Sequence, residues 1–548
     1  MTSCSRNRRD LRKKNDVASA FRRKATLIRS LLIWAGVFTP AIPVAAQTCP
    51  PLQVRNPAGN YIVPGVKGDI PYSGNLSLDA YVQPGSMRPP SVIVIHGGGW
   101  TSGSRIAHVG QMLEFLTGAG YNWFSIDYRL NGPARSEDSL ADIRQAVSFI
   151  KCHSADFGID ANQIVLLGED TGAQVAALLA GESVAGVLGA VLIGGFFDSN
   201  LSTGAPPPTA LRVPLLVIHG EADTESPTAQ AQNYCHRVVT AGGRCQLVNV
   251  AGASHRSENW WPNQWHYKAT MAEWLGKLGN APALPYRPIA GVIQKNIPYR
   301  SSPQLALDAY VPDSTSPVPA VIVAHGGGWE AGDKVTYITP VLEPLARARI
   351  AWFSIDYRLT PAVTHEDQLQ DLREAIRFVR AEHNRFNVDP SRIFLLGESA
   401  SGQMVSLLAT EDRTLAGVVS FYGVYDFNSM VTDASPRSLL VRLFRRTELN
   451  EEARDELRRY SPLNRAHKDM PPLLMVNGTG ERLWAQAQAF DRRLTELRVE
   501  HDVLALGGAP HGMENWEGHP EWMVYKQRLV DWILQQGTRE KGTGKRPD

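Results

Sequence analysis

A serine flanked by small residues is the first position in this chain whose setting suggests chemistry. Ser399 lies in the segment Gly397-Glu398-Ser399-Ala400-Ser401, which departs from the pattern G-x-S-x-G only at its fifth position. An apolar run precedes the segment and a helical pattern follows it, so the sequence predicts a strand, a sharp turn and a helix. Such a turn lifts a serine hydroxyl above the sheet and points a helix N-terminus at developing negative charge. An ordinary strand-to-helix connection that happens to contain serine is the alternative.

A run of glycines upstream offers the hydrogen-bond donors that a nucleophilic serine needs. The motif HGGGW begins at His325, directly after a strand-like apolar stretch. Consecutive glycines allow backbone N–H groups to face a pocket that side chains would otherwise fill. We therefore predict that the amides of Gly327, Gly328 and Ala400 bind the oxyanion of a tetrahedral intermediate.

Two further residues follow the serine in an order that is known from one superfamily. Glu481 follows an apolar strand pattern, and His511 lies in a later glycine-containing loop. Together with Ser399 and HGGGW, they resemble the α/β-hydrolase superfamily, in its hormone-sensitive-lipase-like branch and the related bacterial feruloyl-esterase-like carboxylesterases. The resemblance covers most of residues 290–536. It implies that Ser399 is the nucleophile, His511 the general base and Glu481 the acid that orients it.

The chain contains this pattern twice. The segment WFSIDYRL begins at Trp123 and recurs identically at Trp352, and the same offset in residue number relates His96 to His325. Apolar strand patterns alternate with amphipathic helices in each copy, which favours two tandem α/β-hydrolase domains, each a mostly parallel sheet with helices on both faces. The predicted parts are a leader at 1–46, a first domain at 50–278, a linker at 279–291, a second domain at 292–536 and a disordered tail at 537–548.

The first repeat keeps the glycine loop but lacks the serine. Its elbow reads GEDTG with Asp170 at the nucleophile position, while Asp223 and His255 correspond to the acid and the base. Aspartate attacks carbon directly in the haloalkane dehalogenases and epoxide hydrolases of the same superfamily, but the other groups that those enzymes need are not found here. A carboxylate beside an ester-type glycine loop would occupy the oxyanion position or repel the oxyanion. We predict that the first repeat is inactive and has a structural or binding role.

The two repeats also differ in length. The segment from Ser399 to Glu481 is longer than the matching segment from Asp170 to Asp223. The additional residues fall at about 429–469 and combine leucines with a charged helical pattern. They predict a small lid over the active site. A plain surface insertion is the alternative.

Aromatic residues near the predicted loops are candidates for substrate contacts. Trp329 and Trp516 could line a pocket for the face of a sugar or for an aromatic acyl group, or they could simply pack against the last helix. The sequence contains no metal-ligand cluster, phosphate loop or dinucleotide fingerprint, so we expect neither a metal nor a cofactor.

The N-terminal residues have the composition of an export signal. Residues 1–46 carry ten Lys or Arg and two Asp, and they end in an apolar stretch that closes on Val-Ala-Ala. This predicts a secretory signal peptide, because an apolar run of about 16 residues is short for a membrane anchor. The whole chain has a net charge of +2, so the mature chain carries about −6. The basic balance belongs to the leader and indicates no nucleic-acid surface.

Four cysteines remain after the leader. Cys49, Cys152, Cys235 and Cys245 form an even set that is compatible with disulfides in an oxidising compartment. Of the three possible pairings we favour Cys235 with Cys245, because a helix-to-strand hairpin could bring them together. That pairing leaves Cys49 for Cys152. Free buried thiols are the alternative.

These observations predict a secreted or periplasmic serine esterase that forms an acyl-enzyme in its second domain. The resemblance implies acetyl or feruloyl esters of plant polysaccharide as substrates. A generic short-chain carboxylesterase fits equally, and an amidase or peptidase on the same fold stays open. The alternative of a different class is a secreted binding or scaffold pseudoenzyme. The expected partner is a small-molecule or polysaccharide-linked ester, with no nucleic acid and no membrane after removal of the signal.

Overall fold

The chain was analysed as a computed structural model. It describes residues 49–538, apart from 55–65, 86–87, 108, 134–135, 183, 198–210, 258–259, 261–265, 280–288, 303, 432–435, 518 and 520. The predicted signal peptide lies outside the described residues. So do nearly all of the predicted tail and most of the predicted linker.

The first repeat contains an eight-stranded, mostly parallel sheet. Its strands are β1 (Val66–Ser73), β2 (Leu76–Tyr81), β3 (Ser91–Ile95), β4 (Asn122–Ile126), β5 (Ile164–Glu169), β6 (Val187–Ile193), β7 (Leu215–Gly220) and β8 (Cys245–Val250). Its helices are α1 (Gly110–Gly118), α2 (Ser136–Cys152), α3 (Ser154–Phe157), α4 (Thr171–Gly181), α5 (Thr228–Thr240) and α6 (His266–Leu275). The strand order is β1-β2-β4-β3-β5-β6-β7-β8, and β2 pairs antiparallel with both of its neighbours.

The second repeat has the same sheet. Its strands are β9 (Val292–Ser301), β10 (Gln304–Val311), β11 (Val318–Ala324), β12 (Ala351–Ile355), β13 (Val388–Glu398), β14 (Gly417–Phe421), β15 (Leu473–Gly478) and β16 (His501–Leu506). Its helices are α7 (Thr339–Arg347), α8 (His365–Ala381), α9 (Ala400–Leu408), α10 (Pro436–Phe444), α11 (Glu451–Arg459), α12 (Pro462–Arg465), α13 (Trp484–Leu497) and α14 (Val524–Gly537). The order β9-β10-β12-β11-β13-β14-β15-β16 matches that of the first sheet. The predicted fold class is confirmed.

The central strands are buried because helices cover both faces of each sheet. Every residue of β11 and β14 is buried, as expected for apolar runs in a parallel sheet. Helix α8 begins at a capping box, in which Thr364 and Asp367 each bond the backbone of the other. Its predicted core stripe is confirmed, since these side chains are at most 4% exposed: Leu369, Leu372, Ile376 and Val379. Each such burial stabilises the fold by about 2 kcal/mol.

The insertion of the second repeat folds onto the domain as α10, α11 and α12. Leu440 and Leu443 of α10 and Leu457 of α11 are at most 1% exposed, so the apolar side of the insertion belongs to the core of this domain. Arg442 pairs with Glu330 of the glycine loop at 2.6 Å, which ties α10 to the loop. The lid function of this insertion stays a prediction.

Both disulfides that we favoured are present. Cys235 in α5 joins Cys245 at the start of β8, with Cα atoms 5.4 Å apart. Cys49 joins Cys152 at the end of α2, with Cα atoms 5.9 Å apart. Both separations lie in the usual range for disulfides.

Candidate active site

The predicted catalytic residues of the second repeat follow neighbouring parallel strands. Ser399 follows β13, Glu481 lies shortly after β15, and His511 lies in the loop after β16. Strands β13 to β16 are adjacent and parallel, so their carboxyl ends meet at one edge of the sheet. Ligands bind at this edge in open α/β folds. The topology therefore brings three residues together that are far apart in the chain.

The elbow at Ser399 has strained backbone geometry. Ser399 has φ 55°, in the left-handed region that side chains rarely adopt. A Cβ on Gly397 would lie 2.4 Å from the carbonyl oxygen of Ser401, so only glycine fits there. The Ser401 hydroxyl donates to the oxygen of Ala324 at 2.7 Å and accepts from the amide of Glu398 at 2.8 Å. The fifth position therefore tolerates serine because its hydroxyl finds hydrogen-bond partners beneath the turn.

Ser399, His511 and Glu481 form a hydrogen-bonded chain. His511 Nε2 lies 3.0 Å from Ser399 Oγ. His511 Nδ1 is hydrogen-bonded to Glu481 Oε2. The Glu481 side chain is only 2% exposed, whereas that of His511 is 41% exposed. The carboxylate is thus held inside the protein, and the imidazole reaches the solvent-facing cleft.

Several acidic groups surround the imidazole of His511. Burial opposes its charged form, but the hydrogen bond to Glu481 and the negative charge of Glu481, Glu398 and Glu514 raise its pKa. The ring of Tyr422 contacts it edge-on, with centroids 4.5 Å apart. Glu398 itself is fully buried, and burial together with Glu514 raises its pKa to about 7. The site therefore favours a protonated histidine once a proton has been taken up.

The glycine loop presents backbone amides beside the elbow. Gly327 and Gly328 have φ of 91° and 62°, and a Cβ on Gly327 would lie 2.1 Å from the oxygen of Ala331. This position thus requires glycine. Gly328 lines the cleft that contains Ser399. Ala400 is the first residue of α9, so its amide lies at a helix N-terminus, where negative charge is stabilised.

The cleft at Ser399 has a volume of about 460 Å³. Its wall is mostly apolar, with one arginine among the following residues besides the three predicted catalytic ones: Gly328, Trp329, Val424, Met430, Gly480, Arg482, Leu483 and Pro510. Trp329 lies in this wall, as predicted, and its indole is near the side-chain oxygen of Gln403 at 3.4 Å.

The prediction that Trp516 lines the pocket is wrong. Trp516 is 0% exposed and packs in the core. Its indole N–H donates to the oxygen of Pro510 at 2.8 Å, and its ring contacts Tyr422 and Tyr525. The residue therefore supports the loop that carries His511 from behind.

The corresponding residues of the first repeat also meet, but they form a closed ion cluster. Asp170 has φ 55°, the same as Ser399. Its Oδ2 accepts hydrogen bonds from the amides of Gly98 at 2.7 Å and Gly99 at 3.2 Å. His255 Nε2 lies 3.5 Å from Asp170 Oδ1, and its Nδ1 lies 2.8 Å from Asp223 Oδ2. A side-chain carboxylate thus occupies the place in which the second repeat could bind an oxyanion.

This cluster is buried and charged. Asp170, Asp223 and His255 are each at most 7% exposed. Burial alone would neutralise the imidazole, yet its contacts with Asp170 and Asp223 raise the pKa of His255 to about 10. The contacts with His255 and the glycine amides lower the pKa of Asp170, even though burial opposes this. The three groups therefore stay ionised over the neutral range.

The whole chain was also compared with known proteins. The model of the BD-FAE family matches residues 78–194 and 307–494, which is more than half of the chain and includes both repeats. The chain belongs to the BD-FAE family. It therefore has the fold of an α/β-hydrolase of the carboxylesterase type.

Relatives of this BD-FAE family member include two proteins of Mycobacterium tuberculosis. Esterase LipC is 27% identical over 248 residues, which cover 41% of this chain and 61% of that protein. The probable carboxylic ester hydrolase LipM is 28% identical over 211 residues, which cover 35% of this chain and 48% of LipM. The chain thus spans about half to three fifths of the length of these curated relatives. A solved structure, a truncated form of carbohydrate esterase from gut microbiota, is 20% identical with a TM-score of 0.41 and covers 46% of this chain and 99% of its own.

Two negative findings concern the described part of this BD-FAE family member. No His, Cys, Asp or Glu side chains within it are grouped in threes or more so as to hold a metal ion. Within the same residues, no helix has both the length and the hydropathy needed to cross a membrane.

Sequence reasoning missed two residues that contact the site of the BD-FAE second repeat. Tyr422 touches His511, and its hydroxyl accepts a hydrogen bond from the amide of Met513 at 2.8 Å. Glu398 adds a second carboxyl near the imidazole. The Glu that precedes the nucleophile position in both repeats, Glu169 and Glu398, was a signal for the second of these. No sequence pattern pointed to Tyr422.

We expect Asp170→Asn to destabilise this BD-FAE family member without lowering ester turnover. The substitution removes one charge from a buried ion cluster, so the free energy of unfolding at pH 6 should fall by about 1–3 kcal/mol. The measurement is urea denaturation, with Ser399→Ala as the control in the matching elbow. An Asp170→Asn protein that is as stable as the wild type would contradict the role of the cluster.

The pH dependence of this stabilisation follows from the shifted pKa values. The raised pKa of His255 stabilises the fold fully below its ordinary value of 6.5, and this contribution is lost as the pH rises towards about 10. The lowered pKa of Asp170 contributes above its ordinary value of 3.8 and is lost as the pH falls. The difference between wild type and Asp170→Asn should therefore be largest between about pH 4 and 6.5 and should shrink towards pH 10.

Proposed function

We propose that the second repeat is a serine hydrolase that cleaves carboxylic esters through an acyl-enzyme. One observation carries the proposal. Ser399 Oγ lies 3.0 Å from His511 Nε2, and Nδ1 of the same ring is bonded to the buried carboxylate of Glu481. This is the arrangement in which a histidine removes a proton from serine while a carboxylate fixes its tautomer. The similarity to esterase LipC supports an ester as the substrate.

The proposed reaction has two halves. Ser399 Oγ attacks the ester carbonyl carbon while its proton passes to His511 Nε2. The tetrahedral intermediate collapses, and His511 gives that proton to the departing alcohol oxygen, which leaves an acyl group on Ser399. Water then attacks the acyl carbon with the same histidine as base, which releases the acid and restores the serine. Glu481 stabilises the imidazolium in both halves.

The first repeat supports the proposed oxyanion donors. There the amides of Gly98 and Gly99 bind the Asp170 carboxylate, so this type of glycine loop holds a negatively charged oxygen next to the elbow. Gly327 and Gly328 occupy the matching positions in the HGGGW motif of the second repeat. We infer that their amides, with that of Ala400, stabilise the oxyanion by several kcal/mol.

A partition experiment tests the acyl-enzyme. p-Nitrophenyl acetate and phenyl acetate are each hydrolysed by the full chain with hydroxylamine present. Because both esters would give the same acetyl-Ser399, the ratio of acetohydroxamate to acetate should be the same for both. A ratio that changes with the alcohol would contradict a shared acyl-enzyme. Faster turnover of p-nitroacetanilide than of the esters would instead favour an amidase.

For the natural substrate we propose an acetyl or feruloyl ester of a plant polysaccharide. The cleft of about 460 Å³ is large enough for either acyl group, and Trp329 with Met430 supplies apolar contact. The His511 side chain is 41% exposed, so a bulky carbohydrate alcohol could remain outside while the acyl group enters. Release of acetate or ferulate from acetylated xylan or feruloylated arabinoxylan is the test. Turnover of small aryl esters alone would leave a generic short-chain carboxylesterase as the better description.

We also propose that the protein is exported to the periplasm or the medium. The basic, then apolar leader supports export, and the two disulfides fit an oxidising compartment. The N-terminal sequence of the protein recovered from the medium or periplasm would then begin near Gln47. Recovery of the full-length chain from the cytoplasm, with four free thiols, would contradict this.

A further inference from the structure

The loop that carries His511 lies against the first repeat. Lys526 of α14 places its Nζ 2.6 Å from Glu517 Oε2 of this loop and 2.6 Å from Glu114 Oε2 of α1. The hydroxyl of Tyr525 donates to Glu517 Oε1 at 2.9 Å. The Glu517 side chain is 1% exposed and that of Lys526 is 11% exposed. The end of the loop is thus fixed at a buried ionic contact between the repeats.

The same contact occurs a second time with the repeats exchanged. Lys268 of α6 lies 3.2 Å from Glu343 of α7. Glu114 and Glu343 are separated by the repeat offset, and α6 and α14 are the last helices of their repeats. The two repeats therefore face each other through matching surfaces, as the subunits of a twofold dimer do. Of these two contacts, the one through Lys526 reaches the loop that carries His511.

The two repeats come very close to each other at Gly110, the first residue of α1. A Cβ on Gly110 would lie 2.6 Å from the Cβ of Glu517 and 2.9 Å from the carbonyl oxygen of Glu514. Real Cβ atoms do not come this close, so any side chain at Gly110 must displace the loop or the helix. The start of α1 therefore bounds one side of segment 514–517.

This segment is coupled to His511 through short hydrogen bonds. Asn515 Nδ2 donates to the carbonyl oxygen of His511 at 2.9 Å. The indole of Trp516 donates to the oxygen of Pro510, the residue before His511. The Met513 amide donates to the Tyr422 hydroxyl. A shift of segment 514–517 would therefore be transmitted to the imidazole within one turn of chain.

We propose that the first repeat, through the start of α1, positions His511 of the second repeat. Gly110 is then a positioning residue, because it acts through the loop and touches neither Ser399 nor the cleft. This inference rests on the proposed function. It gives the repeat without a serine a defined task, which is to hold the other repeat's histidine at hydrogen-bond distance from its serine.

The test compares two glycine-to-valine changes in the same helix of the full chain. Gly110→Val adds the Cβ that meets Glu517, whereas Gly118→Val, at the other end of α1, adds a side chain into open space. Both changes alter the helix propensity of α1 similarly. We expect Gly110→Val to lower kcat for p-nitrophenyl acetate about 100-fold with KM within about twofold, because a 1 Å misplacement can cost about that much. Gly118→Val should match the wild type.

A pH profile separates positioning from a merely structural effect. The groups that face the imidazole are Glu481, Glu398, Glu514 and Tyr422. If Gly110→Val moves His511 away from Glu481, the acid limb of kcat/KM moves to lower pH, and labelling by a fluorophosphonate slows in parallel. Unchanged kcat and an unchanged acid limb in Gly110→Val would overturn the proposal.

Thermal unfolding of each variant is measured alongside, and Gly110→Ala replaces Gly110→Val if the latter does not unfold cooperatively. Gly110→Ala introduces the same Cβ with less bulk, so a fall in kcat and a shifted acid limb are again expected. A wild-type protein without esterase activity, or an active Ser399→Ala protein, would instead contradict the proposed function on which this inference rests.

Discussion

Replacing Ser399 by alanine is expected to lower kcat for p-nitrophenyl acetate by about 10⁴ to 10⁶-fold. The hydroxyl is the attacking group of the proposed reaction, and alanine leaves the elbow, the glycine loop and His511 without a nucleophile to activate. Some rate above the uncatalysed reaction should remain, because oxyanion donors and binding act without the serine. The measurement is initial-rate kinetics on the purified full chain.

Asp170→Asn is the matched control for this loss. Asp170 occupies the same elbow position in the first repeat, with the same φ of 55° as Ser399. We expect the control to keep wild-type kcat, since the Asp170 carboxylate already bonds the Gly98 and Gly99 amides and the residue is buried. Loss of turnover in Asp170→Asn with retention in Ser399→Ala would assign the chemistry to the first repeat.

Glu481→Gln is expected to have the second-largest effect, a fall in kcat of about 10² to 10⁴-fold. The amide keeps the size of the side chain but removes the negative charge that stabilises protonated His511. The contact with Glu481 also raises the pKa of His511 in the resting protein. A base must be neutral to accept the serine proton, so wild-type kcat/KM should rise with pH through this raised pKa. In Glu481→Gln the rise should occur at lower pH, measured from about pH 4.5 to 9.

Asp491→Asn serves as the control for Glu481→Gln. Asp491 is another carboxylate paired with a histidine of the second repeat, since its Oδ1 lies 3.0 Å from His501 Nε2, and neither residue lines the cleft. The control should keep both kcat and the position of the acid limb. An acid limb that is unmoved in Glu481→Gln would show that Glu481 does not set the protonation of His511.

Much of the fold and site could be predicted from local sequence patterns. The HGGGW and GESAS segments each combine a strand end with a turn that small residues require, and the backbone geometry bears this requirement out at Gly327 and Gly397. The constant offset between the repeats predicted two matching sheets, which the structure contains. A parallel sheet brings its strand ends together, so chain order was enough to group Ser399, Glu481 and His511.

What the sequence did not reveal depends on contacts between distant segments. Trp516 follows His511 closely in the chain, but its ring turns into the core and contacts Tyr525 of the last helix. The pairing of Glu114 with Lys526 joins residues of different repeats, and no local pattern indicates it. Glu114 and its counterpart Glu343 could have been noticed as repeat equivalents, but their lysine partners lie at another offset because of the insertion.

The most direct test of the central claim is to count and locate covalent labels after reaction with a fluorophosphonate. The full wild-type chain should take up one label per chain, and mass spectrometry of its peptides should find the label on Ser399. The Ser399→Ala protein should take up none. No label on the wild type, or a label on any other residue with Ser399 unmodified, would contradict the assignment of the second repeat as a serine esterase.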